Sequence, residues 1–208
     1  TDIKPANGNN LWISTFHYGV DLFDTKNKCF THYNNQTLPS LCSNKTWTIM
    51  DDGEGHLYIG HAGFGMSILS LANNTVKNYM NSPWKSNSIP GNDVRCIYKD
   101  THGNIWIGTE KGLSIFDDKK EEFIVPSHLP QELRNSYVFD IYQTDDDKLW
   151  IGTELNGIFI IDLKRDFLRP LEKEMNIEHI ITSDNINYSL ANSTVRSIFQ
   201  DEFGNIWI

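Results

Sequence analysis

The stretch "GNIWIGTEKGLSIFD", residues 103–117, decides the fold because the chain repeats it. A close copy, "DKLWIGTELNGIFIID", covers residues 147–162, and the first five letters return as "GNIWI" at residues 204–208. Alignment on the aromatic residue gives five anchors, 44 to 57 residues apart: Trp12, Tyr58, Trp106, Trp150 and Trp207. Repeats of this length indicate an array of similar structural units.

Other positions keep the same register around each anchor. An isoleucine stands nine residues before it in all five copies, and a glycine follows six or seven residues after it in four. Six residues before the anchor, three copies carry aspartate (Asp52, Asp100, Asp201), and the other two carry Ala6 and Thr144. The segments "VRCIYKD" and "NIWIGT" are rich in β-branched and aromatic residues and flank "THG", which predicts two strands joined by a tight turn.

Each repeat contains two more strand-like segments. The second glycine separates "WIGT" from "LSIFD", and a weaker strand follows, as in "CFTHY" at residues 29–33. The inner strands do not alternate apolar with polar residues, which is typical of strands buried on both faces. We therefore predict an all-β fold of four-stranded antiparallel meanders, stacked by their faces as blades of a β-propeller. The predicted repeats cover residues 1–45, 46–93, 94–137 and 138–194, with a partial repeat at 195–208, so that residues 1–208 form one propeller segment.

The composition excludes several classes of protein. A net charge of -9, with Lys and Arg scattered singly, argues against a nucleic-acid partner. The three cysteines are odd in number and lack C-x-x-C spacing, so neither a disulfide framework nor a zinc site is predicted. No nucleophile arrangement or phosphate loop is present either, and we predict no catalytic residue, no metal and no cofactor.

The stretches "DTHGNIWIGTEKGLSIFD", "DEFGNIWI" and "SNSIPGNDV" resemble the regulator-propeller repeats of Bacteroides-type hybrid two-component sensor histidine kinases. The second copy departs from that pattern with Tyr58 and His61 for Trp and Thr, and the first has Ser14 for Gly. The resemblance implies a segment of a propeller of about seven blades. It also implies that the segment belongs to a periplasmic sensor region that responds to oligosaccharides from polysaccharide breakdown. Its partners would be the remaining blades and sensor domains of the same chain, and the full sensor would form a homodimer.

Aromatic side chains on loops are the first candidates for a ligand site. The loops between second and third strands and the loops between blades should open on one face, near the propeller axis. Phe16, Tyr18, Phe64 and Trp84 lie on these loops, where flat rings can stack on a sugar. The alternative is that they cap the hydrophobic layers of the blades. We predict that the tryptophan anchors belong to the core and that Trp47, at the start of an inner strand, is structural.

Polar residues on the same loops are further candidates. Glu110 and Glu154 occupy equivalent positions in adjacent repeats and could bind a ligand, or form the acidic pair of a glycosidase, or be ordinary exposed residues. His17 and His61 could also contact a ligand, but metal ligation would need a third ligand, and packed or solvent-exposed histidines are the favoured explanation. The longest repeat has an insertion at residues 169–194 that is compatible with a helical turn at residues 171–175.

Three functions remain open from the sequence. The favoured one is a non-catalytic, ligand-sensing segment of a hybrid two-component signalling protein. The second is a propeller glycosidase or lyase that uses Glu110 and Glu154, and the third is a protein-interaction scaffold. Because fold alone does not fix function, the first depends on the resemblance.

Overall fold

The structure, a computed structural model, describes residues 2–163, 177–183 and 189–208. The first sheet comprises β1 (Ile3–Pro5), β2 (Leu11–Thr15), β3 (Gly19–Asp24) and β4 (Cys29–Tyr33), and the second comprises β5 (Thr46–Asp51), β6 (His56–His61), β7 (Met66–Ser70) and β8 (Thr75–Tyr79). The third sheet comprises β9 (Val94–Lys99), β10 (Ile105–Thr109), β11 (Gly112–Asp117) and β12 (Glu122–Ile124), and the fourth comprises β13 (Val138–Gln143), β14 (Lys148–Thr153), β15 (Ile158–Asp162) and β16 (Ile177–Ile180). The fifth comprises β17 (Phe199–Gln200) and β18 (Ile206–Trp207).

Consecutive strands pair antiparallel within every sheet, so each of the first four sheets is a meander. The first strands of neighbouring sheets lie beside one another, as they do around the axis of a propeller. The predicted all-β propeller fold of four-stranded blades is confirmed. The described residues also contain a 3-10 turn at Asn7–Asn9 and a short helix, α1 (Gln131–Asn135), whereas the helical turn expected at residues 171–175 lies outside them.

The hydrophobic core is divided into layers between consecutive blades. One layer joins Trp12 and Val20 of the first blade to Ile49 of the second, and another joins Trp106 of the third to Phe159 of the fourth. A blade therefore hides its apolar faces only by stacking on its neighbours. The described residues contain no helix long and apolar enough to cross a membrane.

Two tryptophan anchors depart from the predicted burial. Trp106 and Trp12 are buried, but Trp207 is 62% exposed, so its assignment to the core is wrong. The reason is that the fifth sheet has two described strands and no further blade packs over its ring. Trp150 is half-buried against Ile198 and Leu190.

The recurrent aspartate ties the first turn of the blade to the tryptophan. The carboxylate of Asp100 accepts the backbone N–H of His102 at 2.9 Å and of Asn104 at 2.8 Å. It also accepts the indole N–H of Trp106 at 2.7 Å. Because the carboxylate serves the turn and the anchor together, the two strands of the hairpin start in a fixed register.

The same bond recurs in the fifth unit but is missing from the fourth. Asp201 accepts the indole N–H of Trp207 at 2.9 Å. In the fourth blade Thr144 replaces the aspartate, and the buried Nε1 of Trp150 has no hydrogen-bond partner among the described residues. A buried donor without a partner costs stability.

A glycine two residues after the anchor sets the spacing between blades. A Cβ on Gly108 would lie 2.7 Å from Cγ1 of Val138 in the next blade. A Cβ on Gly152 would lie 2.9 Å from Cγ1 of Val195, and one on Gly60 would lie 2.8 Å from Cγ1 of Val94. Only glycine allows the backbones of adjacent blades to approach so closely.

The blade spacing can be tested with Gly108→Ala. The added methyl group must displace both Cys96, whose Sγ would lie closer still, and Val138, so we expect the free energy of unfolding to fall by about 1–3 kcal/mol in urea denaturation. In the double variant with Val138→Ala, the loss should be smaller than the sum of the two single losses, by about 0.5 kcal/mol or more. Strictly additive losses would contradict the direct contact between blades.

The missing aspartate of the fourth blade can be restored with Thr144→Asp. The new carboxylate should accept the orphaned N–H of Trp150, and we expect the free energy of unfolding to rise by about 0.5–1.5 kcal/mol. The matched control is the same substitution in a Trp150→Phe background, which removes the donor. An equal gain in both backgrounds would show that the indole is not the reason.

Candidate functional site

Three inner strands, β5, β9 and β13, carry a β-bulge at the same repeat position. In β9, Val94 pairs with Thr109 and Cys96 pairs with Gly108, which leaves Arg95 without an opposite residue. Equivalent register shifts leave Trp47 unpaired in β5 and Phe139 unpaired in β13. A bulge turns its side chain out of the regular alternation. Because the inner strands surround the axis, these side chains gather there.

The three bulged residues and Arg196, at the same repeat position before β17, form one group, which we call the axial cluster: Trp47, Arg95, Phe139 and Arg196, all eleven residues before their anchors. They line a cavity of about 240 Å³ that is open to solvent. The guanidinium carbon of Arg95 lies 3.7 Å from the ring centroid of Trp47 and 5.4 Å from that of Phe139. The guanidinium carbon of Arg196 lies 5.1 Å from the Phe139 ring. Aromatic rings and cations therefore alternate from blade to blade, as cation–π pairs.

Neighbouring side chains hold the axial cluster in place. Asp93 accepts the indole N–H of Trp47 at 2.7 Å, and Phe16 packs on the Trp47 ring with centroids 4.6 Å apart. Tyr137 lies beside both Asp93 and Arg95, and burial, followed by the Asp93 carboxylate, raises the pKa of its hydroxyl. The phenol consequently remains neutral at physiological pH and can donate a hydrogen bond.

The loop aromatics predicted as ligand contacts are distributed differently. Phe16 joins the axial cluster through Trp47. Tyr18 is 76% exposed, Phe64 is 43% exposed and Trp84 is 93% exposed, and no ring contact brings these three together. A binding role for each of them stays a prediction.

Glu110 has a structural role in this geometry. Its two carboxylate oxygens accept the backbone N–H groups of Asn92 at 3.1 Å and Asp93 at 2.9 Å. Asp93 in turn accepts the indole N–H of Trp47. Glu110 therefore fixes the loop that leads into the axial cluster. Glu154 is half-buried at the equivalent position, and its backbone N–H donates to the carbonyl of Tyr137 at 2.8 Å.

His61 is the sequence candidate whose location was predicted wrongly. It ends β6 instead of starting a loop, and its side chain is fully buried. Its Nε2 lies 2.8 Å from Oγ of Ser67, which donates to Asn78 at 2.6 Å. Burial lowers the pKa of the His61 imidazole to about 4. His17, in contrast, is exposed beside the ring of Phe16.

Sequence reasoning missed Arg95, Phe139 and Arg196, and it took Trp47 for a structural residue. The available signal was a column of the repeat that varies while the column before it is nearly constant. The preceding column holds Val94, Val138 and Val195, whereas this one changes between aromatic residues and Arg. In the part of the chain described, no three His, Cys, Asp or Glu side chains form a group that could bind a metal ion.

Comparison with known proteins identifies the repeat. The family model for the two-component regulator propeller matches residues 88–111, 132–155 and 189–208. The extracellular domain of BT3049 from B. thetaiotaomicron, described as a hybrid two-component system, matches the whole chain at 47% identity with a TM-score of 0.82. The chain covers 25% of that structure.

More distant structures share the fold alone. The extracellular domain of BT4673 from B. thetaiotaomicron matches the whole chain at 20% identity with a TM-score of 0.75, and the chain covers 26% of it. PorZ of Porphyromonas gingivalis, a surface component of the type IX secretion system, matches 97% of the chain at 12% identity with a TM-score of 0.69, and 29% of PorZ is covered. No curated protein matches the chain significantly.

The buried imidazole of His61 makes a test of stability against pH. Its pKa is about 4 in the folded chain and 6.5 in the unfolded chain, so the folded state favours the neutral ring. Its contribution is complete above pH 6.5 and is lost as the pH falls from 6.5 towards 4. Between pH 7.5 and pH 4.5, urea denaturation should show that wild type loses about 2–3 kcal/mol more than His61→Thr.

Threonine is a matched replacement, because Thr109 and Thr153 occupy the same repeat position and donate to the carbonyls of Gly112 and Gly157. His17→Thr, at an exposed site, serves as the control and should keep the wild-type loss. An equal loss in wild type and His61→Thr would show that His61 is not the group that titrates.

Proposed function

The chain carries repeats of the two-component regulator propeller family, and from this premise we propose that it is a ligand-binding segment of an extracytoplasmic sensor. The solved relative at 47% identity is an extracellular domain of a hybrid two-component system, which supports a sensor role. The chain spans about a quarter of that relative's length. The periplasmic location, the kinase, the remaining blades and the homodimer consequently belong to the proposal.

We place the ligand at the axial cluster, and this cluster is the observation that supports the proposal. Its cavity of about 240 Å³ is lined by two aromatic rings and two guanidinium groups. Aromatic faces pack against the C–H faces of sugar rings, and guanidinium N–H groups donate to hydroxyl oxygens. The combination suits an oligosaccharide better than an apolar ligand.

The side chains of the axial cluster are held in place before a ligand binds, so that binding costs little of their conformational entropy. Three of the four side chains project from strands, and the rings and guanidinium groups fix one another by stacking. Side chains that are already ordered lose little rotamer freedom when a ligand binds. In a sensor, binding can then shift the equilibrium between two arrangements of the protein.

The glycosidase alternative gains no support from the geometry. Its acidic pair requires Glu110 as a free carboxylate, but both oxygens of Glu110 accept backbone N–H groups. A group engaged in this way is poorly placed to transfer a proton to a glycosidic oxygen.

The proposed site can be tested by calorimetric titration of the chain with a panel of neutral and acidic oligosaccharides. We expect at least one to bind, and Phe139→Ala to weaken that binding about tenfold or more because a stacking face is lost. Phe139 is an unpaired bulge residue, so its removal should leave the fold intact, as checked by circular dichroism.

Phe203→Ala is the matched control. Phe203 is 81% exposed in the turn between β17 and β18, at the opposite end of the blade from the bulge. Its loss should leave the affinity unchanged. The axial site would be refuted if Phe139→Ala bound as tightly as wild type, and the sensing proposal would fail if no oligosaccharide bound.

A further inference from the structure

Two arginines of the axial cluster, Arg95 and Arg196, form no ion pair with a described carboxylate, although the chain has 27 acidic and 18 basic residues. Their guanidinium groups lie against aromatic rings. Arg95 also forms a side-chain hydrogen bond with the hydroxyl of Tyr137, which lies beside Asp93.

The stacking arrangement leaves N–H donors at the edge of each guanidinium open to a further acceptor, although Arg95 already meets the hydroxyl of Tyr137. An aromatic ring covers the flat face of a guanidinium, whereas the five N–H donors lie in its plane. The Nε of Arg95 is shielded from solvent and has no partner among the described residues. A donor that has lost water without gaining an acceptor is costly, and an incoming acceptor would remove that cost.

The two positive charges also lie close together. Both guanidinium carbons face the ring of Phe139, at 5.4 Å and 5.1 Å from its centroid, which places them within about 10.5 Å of each other. The carboxylate in the surrounding shell, Asp93, already accepts the indole N–H of Trp47. Two like charges at this distance repel each other, and an anion between them would be stabilised by both.

We propose that the ligand of the axial cluster is an acidic oligosaccharide, whose carboxylate or sulfate group binds Arg95 and Arg196 while its sugar ring packs on Phe139. This inference rests on the proposed function and adds the chemical class of the ligand. Guanidinium groups pair with carboxylate and sulfate oxygens through two parallel hydrogen bonds, which a neutral hydroxyl does not offer.

The test compares each acidic oligosaccharide with a neutral derivative of the same oligosaccharide, called its twin below. The probes are trigalacturonate against its methyl ester, and a galactose trisaccharide with and without a 6-sulfate, each titrated calorimetrically into the chain. We expect one acidic probe to bind at least about tenfold more tightly than its twin, with an affinity that falls as NaCl is raised.

Variants assign the effect to the two arginines. Arg95→Gln and Arg196→Gln should each weaken binding of the acidic probe about tenfold or more and change binding of the neutral twin much less. Lys85→Gln, which removes an exposed positive charge from the loop before β9, is the control and should bind like wild type. Circular dichroism and urea denaturation verify that the variants fold.

The possible failures separate the two proposals. Equal binding of an acidic probe and its twin, or an undiminished affinity in both arginine variants, would overturn the acidic ligand and leave oligosaccharide sensing standing. Inorganic sulfate that binds as tightly as the sulfated sugar would also overturn it, because the sugar would contribute nothing. Absence of binding by every probe, neutral or acidic, would instead count against the proposed function.

Discussion

The close approach of neighbouring blades is the constraint on which the rest of the molecule depends. A four-stranded meander has two apolar faces and cannot bury either alone, so each blade must press on the next. Gly60, Gly108 and Gly152 provide the room, because a methyl group at any of them would overlap the valine that follows in the next blade. The first blade has Ser14 at this position, and its hydroxyl accepts the backbone N–H of Asp2 at 2.8 Å.

The same approach of the blades produces the site. The valine that meets each glycine is followed directly by the bulged residue, as Val94 is followed by Arg95 and Val138 by Phe139. Packing fixes the valine, and the bulge turns its neighbour towards the axis. The positions of the bulged residues in the axial cluster therefore follow from the contact that stabilises the blades, while the loops add supports such as Asp93 and Phe16 beside Trp47.

Much of the fold could be predicted because its causes are local. Strand composition, the Asp100 turn and the anchor of Trp106 lie within one stretch of sequence, so they can be identified by inspection. The burial of a side chain depends on which other segments of the chain pack against it. No described sheet covers the ring of Trp207, which is therefore exposed. His61 was placed on a loop, and the sequence does not show that its ring is buried with Ser67, whose hydroxyl lies 2.8 Å from Nε2.

The site could be predicted only in part, for a related reason. A strand is assumed to alternate its side chains, and the extra residue in β5, β9 and β13 breaks that alternation without changing the composition. Phe16 was selected because loops are the usual location of ligand contacts, and it packs on Trp47.

A bulged position has a consequence for how propellers of this kind can diversify. The residue there makes no ladder pair, so selection for folding hardly constrains its identity, while any ligand at the axis meets it first. The described inner strands already carry Trp, Arg and Phe at this column without a change of architecture. With a ligand bound at the axis, new specificities arise by exchanging single residues blade by blade, and the number of combinations grows exponentially with the number of blades.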